Sequence, residues 1–62
     1  MDYVIGDAVA QFYETAEGAM GMIKGIVTDV LEDRLIYKTK DNGDIPDGEE
    51  HIVPIEMYET LL

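Results

Sequence analysis

Short segments rich in β-branched and aromatic residues recur along this chain, and turns rich in glycine and aspartate separate them. Residues 8–13 (AVAQFY) have the length and aromatic content of a strand, and residues 22–30 (MIKGIVTDV) are rich in β-branched side chains. In residues 35–40 (LIYKTK), apolar and polar residues alternate past Ile36, which predicts a strand with one wetter face. Residues 49–54 (EEHIVP) follow a long polar connection and are the fourth predicted strand. This spacing of roughly ten residues favours a small all-β domain.

The segments between these strands predict the turns. Residues 14–22 (ETAEGAMGM) contain two glycines and are too long for a tight hairpin, so they are expected to form a loop. Gly25 marks a bend or bulge within the second strand. The Asn42-Gly43 pair is a hairpin-type signal, because both residues tolerate positive φ.

Pro54 predicts how the chain ends. Proline stops the fourth strand and favours a short helical turn within residues 54–62, since the first position of a helix does not need an amide hydrogen. A terminal fifth strand at residues 58–62 is the alternative. Neither a repeat nor a linker interrupts the chain, so residues 1–62 are expected to form a single domain.

The order of these motifs resembles that of the SH3-like barrels, including the Tudor-type and KOW-type modules. IGDAVAQF is similar to their opening G-D-x-V strand, and KGIVTDVLEDRLIYKTKDNG is similar to their G-x-V hairpin. HIVPIEMYETLL resembles their strand, helical turn and closing segment. The resemblance implies an SH3-like barrel of four to five antiparallel strands with one short helical turn near the C-terminus.

The absence of cysteine removes disulfides and thiolate metal sites as supports for a thin core. This favours a reducing compartment, and the acidic N-terminal segment lacks the base that begins a signal peptide. No apolar run approaches the ~20 residues that span a bilayer. We therefore expect a cytoplasmic protein that does not bind membranes.

Fourteen acidic residues stand against four basic ones, and the formal net charge is −10. Such a charge repels nucleic acid and anionic lipid, and it attracts basic protein surfaces. A magnitude of ~2–8 is ample for the solubility of a small domain. The acidic surface is therefore either a binding surface or a solvated rim. The expected partner is the basic surface of a protein, such as a nucleic-acid enzyme, and the open edges of a small barrel also allow a homodimer.

Acidic residues are densest around two of the predicted turns, and half of residues 41–50 are carboxylates. The predicted partner-binding residues are Asp29, Glu32, Asp33, Asp41, Asp44, Asp47, Glu49 and Glu50. Calcium is an alternative for the second group, but an EF-hand loop needs oxygen ligands at positions three and five. A loop that starts at Asp41 has glycine and isoleucine there, and one that starts at Asp44 has proline and glycine. No metal site is assigned, and a non-standard calcium site stays open.

Catalysis and cofactors are not expected. The chain has no serine or cysteine nucleophile, and adjacent carboxylates such as Glu32 and Asp33 point to opposite faces of a strand. His51 is the only histidine and has no cysteine to join it in a zinc or copper site. A Tudor-like aromatic cage for a methylated cation is less favoured than core packing for the aromatic residues Tyr3, Phe12, Tyr13, Tyr37 and Tyr58.

Two functions fit these observations. In the first, the carboxylates occupy the basic groove of a nucleic-acid-binding protein, as in the DNA-mimicking inhibitors of phages and mobile elements. In the second, the chain is an acidic accessory or adaptor domain that makes ordinary protein contacts through a sheet face or edge.

Overall fold

The computed structural model describes the backbone of residues 3–62 and the side chains of residues 3–58, 61 and 62. It contains the strands β1 (Ala8–Glu14), β2 (Met20–Val30), β3 (Arg34–Thr39) and β4 (Glu50–Pro54), and then a 3-10 helix (Ile55–Thr60). The strands form one antiparallel sheet in the order β1-β2-β3-β4, which curls into a half-barrel. The predicted all-β class, the four strands and the C-terminal helical turn are confirmed.

Strand alternation decides which side chains enter the core. Successive residues of a strand point to opposite faces, so every second position of β3 faces inward. Leu35, Tyr37 and Thr39 are buried there, while Lys38 between them is exposed. The buried apolar cluster consists of Val9, Val27, Leu35, Tyr37, Val53 and Leu61. We call the opposite side of the sheet the outer face.

The first connection is shorter than predicted, because β2 begins at Met20 and only residues 15–19 lie between the strands. The Thr15 amide donates to the Ala19 carbonyl (2.7 Å), and the Ala19 amide donates to the Thr15 hydroxyl oxygen (3.1 Å). These two bonds close the connection as a hairpin. The predicted loop is confirmed for residues 15–19, which include Gly18, but it ends earlier than predicted because Gly21 and Met22 lie in β2.

Gly25 does not form the bulge that the sequence predicts. The pairing of β2 with β3 shifts between Val27 and Asp29 instead. Gly25 is buried under the Tyr37 ring, and a Cβ placed on it would collide with that ring and lie 2.5 Å from the Lys38 carbonyl oxygen. Glycine is needed here because an aromatic side chain and a neighbouring backbone approach the strand closely.

The C-terminal segment returns to the free edge of β1. After the 3-10 helix, Leu61 forms an isolated bridge with Gln11, and the Leu62 amide donates to the Ala10 carbonyl (3.0 Å). Both alternatives for this segment are therefore partly correct, since a helical turn precedes a short strand-like pairing. No helix within residues 3–62 is long and apolar enough to cross a membrane.

Candidate partner-binding surface

All eight predicted partner-binding residues are exposed, but they form two groups. The turn cluster, at the β2–β3 connection, consists of Asp29, Glu32 and Asp33. The loop cluster, at and beside the β3–β4 connection, consists of Asp41, Asp44, Asp47, Glu49 and Glu50. Glu32 and Asp33 precede β3, Asp41, Asp44 and Asp47 follow it, and the six residues of β3 span roughly 20 Å at ~3.3 Å each. Asp29 and Glu50 lie nearer to each other, because they pair with Ile36 and Lys38 of β3. The sequence already placed these two groups at two different turns.

The turn cluster projects from a hairpin that backbone bonds hold at both sides. The Leu31 amide donates to the Arg34 carbonyl (2.9 Å), which closes the turn between β2 and β3. The Ile55 amide donates to the Asp33 carbonyl (2.8 Å), which joins this turn to the start of the 3-10 helix. The Asp29 carboxylate accepts the Val30 amide (2.9 Å) beside the bulge. The acidic tip is thus attached to two different elements.

Thr39 organises the loop cluster from inside. Its side chain is only 2% exposed, and its hydroxyl donates to the Pro46 carbonyl (2.7 Å) while it accepts the Glu49 amide (2.9 Å). The Thr39 backbone also exchanges bonds with the Glu49 carbonyl (2.9 Å) and the Gly48 amide (2.8 Å). A buried residue at the end of β3 therefore closes the acidic connection.

Asn42 attaches the same connection to β2. Its side-chain oxygen accepts the Lys24 amide (2.9 Å), and its side-chain nitrogen donates to the Lys24 carbonyl (2.8 Å). Neither Asn42 nor Gly43 has positive φ; Asp41 does (60°), and its amide donates to the Asp47 carboxylate (3.1 Å). The long connection that was predicted here is confirmed, but Asn42-Gly43 does not form a turn with positive φ, and the Asn42 side chain bonds to the β2 backbone instead.

His51 and Glu49 connect the loop cluster to the core. His51 Nε2 and Glu49 Oε1 are 2.8 Å apart, and the His51 ring stacks on Tyr37 with centroids 5.3 Å apart. The Tyr37 hydroxyl donates to Gln11 Oε1 (2.8 Å). Burial, and after it the charge of Glu49, raises the pKa of Tyr37 above its ordinary value of 10.0. Glu49 therefore serves the fold as well as the acidic surface.

The other candidate sites do not assemble. Within the part of the chain that the structure describes, no group of three or more histidine or acidic side chains is arranged to hold a metal. Tyr37 is buried, Tyr3 and Tyr58 pack edge to face with centroids 6.1 Å apart, and Tyr13 lies against Gly21. The aromatic residues support packing, as predicted, and do not converge on a cage.

The outer face carries apolar side chains. Ile36 pairs with Ile52 across β3 and β4, and Phe12 pairs with Met22 across β1 and β2. Ile52 is 59% exposed and Met22 is 48% exposed. The alternation within each strand predicts that these side chains point outward, but only the register between the strands shows which of them are neighbours.

Comparisons with protein-family models, with curated proteins and with solved structures found no match to this chain. Its function must therefore be inferred from the charges and contacts of its own residues.

Proposed function

We propose that this protein is a small cytoplasmic inhibitor that binds the basic surface of a nucleic-acid-binding protein in place of its polyanionic ligand. Inhibitors of this kind are used by phages and mobile elements. The observation that carries the proposal is the exposure of eight carboxylates in two clusters at the ends of β3. A basic groove built for phosphates also attracts carboxylates at similar separations, and this attraction accelerates association.

The charge density supports this proposal. The longest dimension of the structure is 33 Å, so a net charge of −10 corresponds to roughly one charge per 3.3 Å. B-DNA carries one charge per ~1.7 Å of helix axis, so the protein has about half that density. Glu32 and Asp33 lie before β3 and Asp41, Asp44 and Asp47 after it, and the ~20 Å length of β3 corresponds to about six base-pair steps of ~3.4 Å. One duplex-binding groove is long enough to contact both clusters.

The internal bonding of the loop cluster also supports the proposal. Thr39 and Asn42 attach the acidic connection to β3 and β2 through the hydrogen bonds described above. A carboxylate that is already held in place loses little conformational entropy when a partner binds. A freely moving acidic loop would have the same charge but would bind more weakly.

We also propose that the half-barrel is SH3-like. The strand order β1-β2-β3-β4, the 3-10 helix after β4 and the Gln11–Leu61 bridge support this assignment. In such a barrel, the C-terminal segment pairs with the first strand and closes the sheet. Slow exchange of the Leu62 amide, which donates to Ala10, is the expected observation by hydrogen-exchange NMR; exchange as fast as in an unfolded chain would contradict a closed arrangement.

Affinity capture with two matched variants tests the inhibitor proposal. The loop variant carries Asp41→Asn, Asp44→Asn and Glu50→Gln. The control variant removes the same number of charges at exposed positions outside both clusters, through Glu14→Gln, Glu17→Gln and Glu56→Gln. The wild-type protein is expected to capture a nucleic-acid-binding protein from a nuclease-treated lysate, and added duplex DNA is expected to displace it.

The affinity for the captured protein separates the outcomes. The loop variant should bind about tenfold more weakly than the control variant, and the wild-type complex should weaken steeply as salt increases. Equal losses in the two variants would attribute binding to overall charge alone. A complex that neither salt nor DNA weakens would refute the inhibitor proposal.

The apolar outer face favours the second function, an acidic accessory or adaptor domain. Ile52, which is 59% exposed and pairs with Ile36, provides an apolar contact that a charge mimic does not need. For this function, Ile52→Ser should weaken the captured complex, and the loop variant should leave it nearly unchanged. The opposite pattern would exclude the outer face as the contact surface.

A further inference from the structure

A shallow trough of about 360 Å³ lies on the outer face, over β1 and β2. Ala8 and Ala10 flank the buried Val9, and Lys24 and Ile26 flank the buried Gly25, so alternation puts these four side chains on the outer face. The residues that shape the trough are Ala8, Ala10, Lys24, Ile26, Lys40 and Leu62. Its floor is apolar and one wall carries two lysines.

The walls are held by backbone bonds. The Leu62 amide donates to the Ala10 carbonyl (3.0 Å), so one wall stands where the C-terminal segment meets β1. The Lys40 amide donates to the Lys24 carbonyl (3.0 Å). The Asn42 side chain accepts the Lys24 amide and donates to the Lys24 carbonyl. The small side chains of the alanines on the floor leave the space between these walls open. The site is therefore formed before any ligand binds.

The two lysines concentrate positive charge in a strongly acidic chain. Lys24 and Lys40 are two of the four lysine and arginine residues, and their backbones are hydrogen-bonded to each other. Among the described residues, the one ion pair within 4.0 Å joins His51 to Glu49 and involves neither lysine. Asp41 also lines the trough. Two lysines against one aspartate give the charged side chains of the lining a net positive charge, which favours an anion.

We propose that this trough binds a small organic anion with an apolar body, such as a carboxylate on a short aliphatic or aromatic group. The volume accommodates about twelve groups of the size of a water molecule at ~30 Å³ each, which matches an acid of that size. The apolar floor takes the body, and the two ammonium groups bind the carboxylate. At 0.1 M salt, repulsion from acidic groups more than ~10 Å away is largely screened, whereas the shorter contacts within the trough are screened less.

This ligand site uses the opposite charge and, apart from Asp41, different residues from the acidic clusters. Whichever result the capture experiment gives, the trough keeps its own prediction.

Titration of the full-length protein with 4-phenylbutyrate, followed by ¹H–¹⁵N NMR, tests the proposal. The amides of Ala8, Ala10, Lys24 and Leu62 are expected to shift together with one binding curve. The uncharged 4-phenylbutyramide has the same apolar body and should bind about tenfold more weakly, because it lacks the charge that the lysines recognise. Absence of shifts at these amides up to about 10 mM ligand, or equal binding of the two compounds, would overturn the proposal.

Two double variants provide a matched comparison. Lys24→Met with Lys40→Met removes the two charges of the trough and keeps apolar stems of similar length. Arg34→Met with Lys38→Met makes the same change in net charge outside the trough. The first should bind 4-phenylbutyrate about tenfold more weakly, and the second should change its affinity less than about twofold. Equal losses would show that overall charge decides the affinity and would overturn the site.

Ala10→Leu offers a third test that leaves both lysines in place. A leucine on the outer face fills the floor of the trough without entering the core, since Ala10 points away from it. Dispersed NMR spectra of this variant would establish its fold, and its affinity for 4-phenylbutyrate should fall at least about fivefold. Unchanged affinity would place the ligand elsewhere and refute the trough as its site.

Discussion

Thr39 is the residue whose replacement best tests how the acidic loop is held. Thr39→Val keeps the shape of the side chain and removes one hydroxyl, which donates to the Pro46 carbonyl (2.7 Å) and accepts the Glu49 amide (2.9 Å). A typical intramolecular hydrogen bond contributes about 0.5–1.5 kcal/mol net, and a buried group left without its partner costs about 1–3 kcal/mol. Because the exposed residues Pro46 and Glu49 can bind water in place of the hydroxyl, we expect Thr39→Val to lower the free energy of unfolding by about 2 kcal/mol.

This loss is large for a chain of 62 residues, whose total stability is expected to be about 3–9 kcal/mol at ~0.05–0.15 kcal/mol per residue. Urea unfolding should show a lower midpoint with an unchanged slope, because the surface exposed on unfolding stays the same. Thermal unfolding should shift by roughly 8–16 °C, at ~4–8 °C per kcal/mol for a domain of this size. The Gly48 and Glu49 amides, which bond to Thr39, should exchange faster with solvent.

Thr28→Val is the matched control. Thr28 is exposed, and its hydroxyl reaches the Ile36 carbonyl at only 3.4 Å, so the same chemical change should cost less than about 0.5 kcal/mol. If Thr39→Val costs no more than Thr28→Val, the hydroxyl does not hold the loop. The pre-organisation invoked for the inhibitor function would then lose its physical basis.

The remaining predictions concern the core and the net charge. Tyr37→Phe should lower the free energy of unfolding by about 1 kcal/mol in urea melts, through loss of the bond to Gln11. In the wild type, the unfolded chain releases the Tyr37 proton above pH 10.0 before the folded chain does, so stability should fall as pH rises past that value; an equal fall in Tyr37→Phe would contradict the assignment. Gly25→Ala should lower the free energy of unfolding by more than about 2 kcal/mol, because its Cβ meets the Tyr37 ring and the Lys38 backbone. Gly43 has open space around it, so Gly43→Ala should change the free energy of unfolding by less than about 0.5 kcal/mol. Equal effects of the two substitutions would refute the close packing at Gly25. Raising the salt concentration from about 20 to about 200 mM should raise the midpoint of thermal unfolding by screening the charge of −10, and a flat response would contradict self-repulsion.

The sequence by itself determined the strands and the end of the fold. The alternation in residues 35–39 predicts the inward positions of β3, because the two-residue period of a strand is a local property. Pro54 predicts the change from strand to 3-10 helix, because its ring constrains φ in any tertiary context. The exposure of the eight acidic residues also follows from their charge, since an unpaired carboxylate is rarely buried.

Only the tertiary structure decided how these pieces meet. The position of Asp29 opposite Ile36 depends on the shift in pairing between Val27 and Asp29, and the pairing of Lys24 with Lys40 depends on the register of β2 with β3. Asn42 bonds to a residue eighteen positions earlier in the chain, so local turn propensity assigned it the wrong role. Register and long-range bonding arise from the packing of all strands at once, and no single segment contains that information.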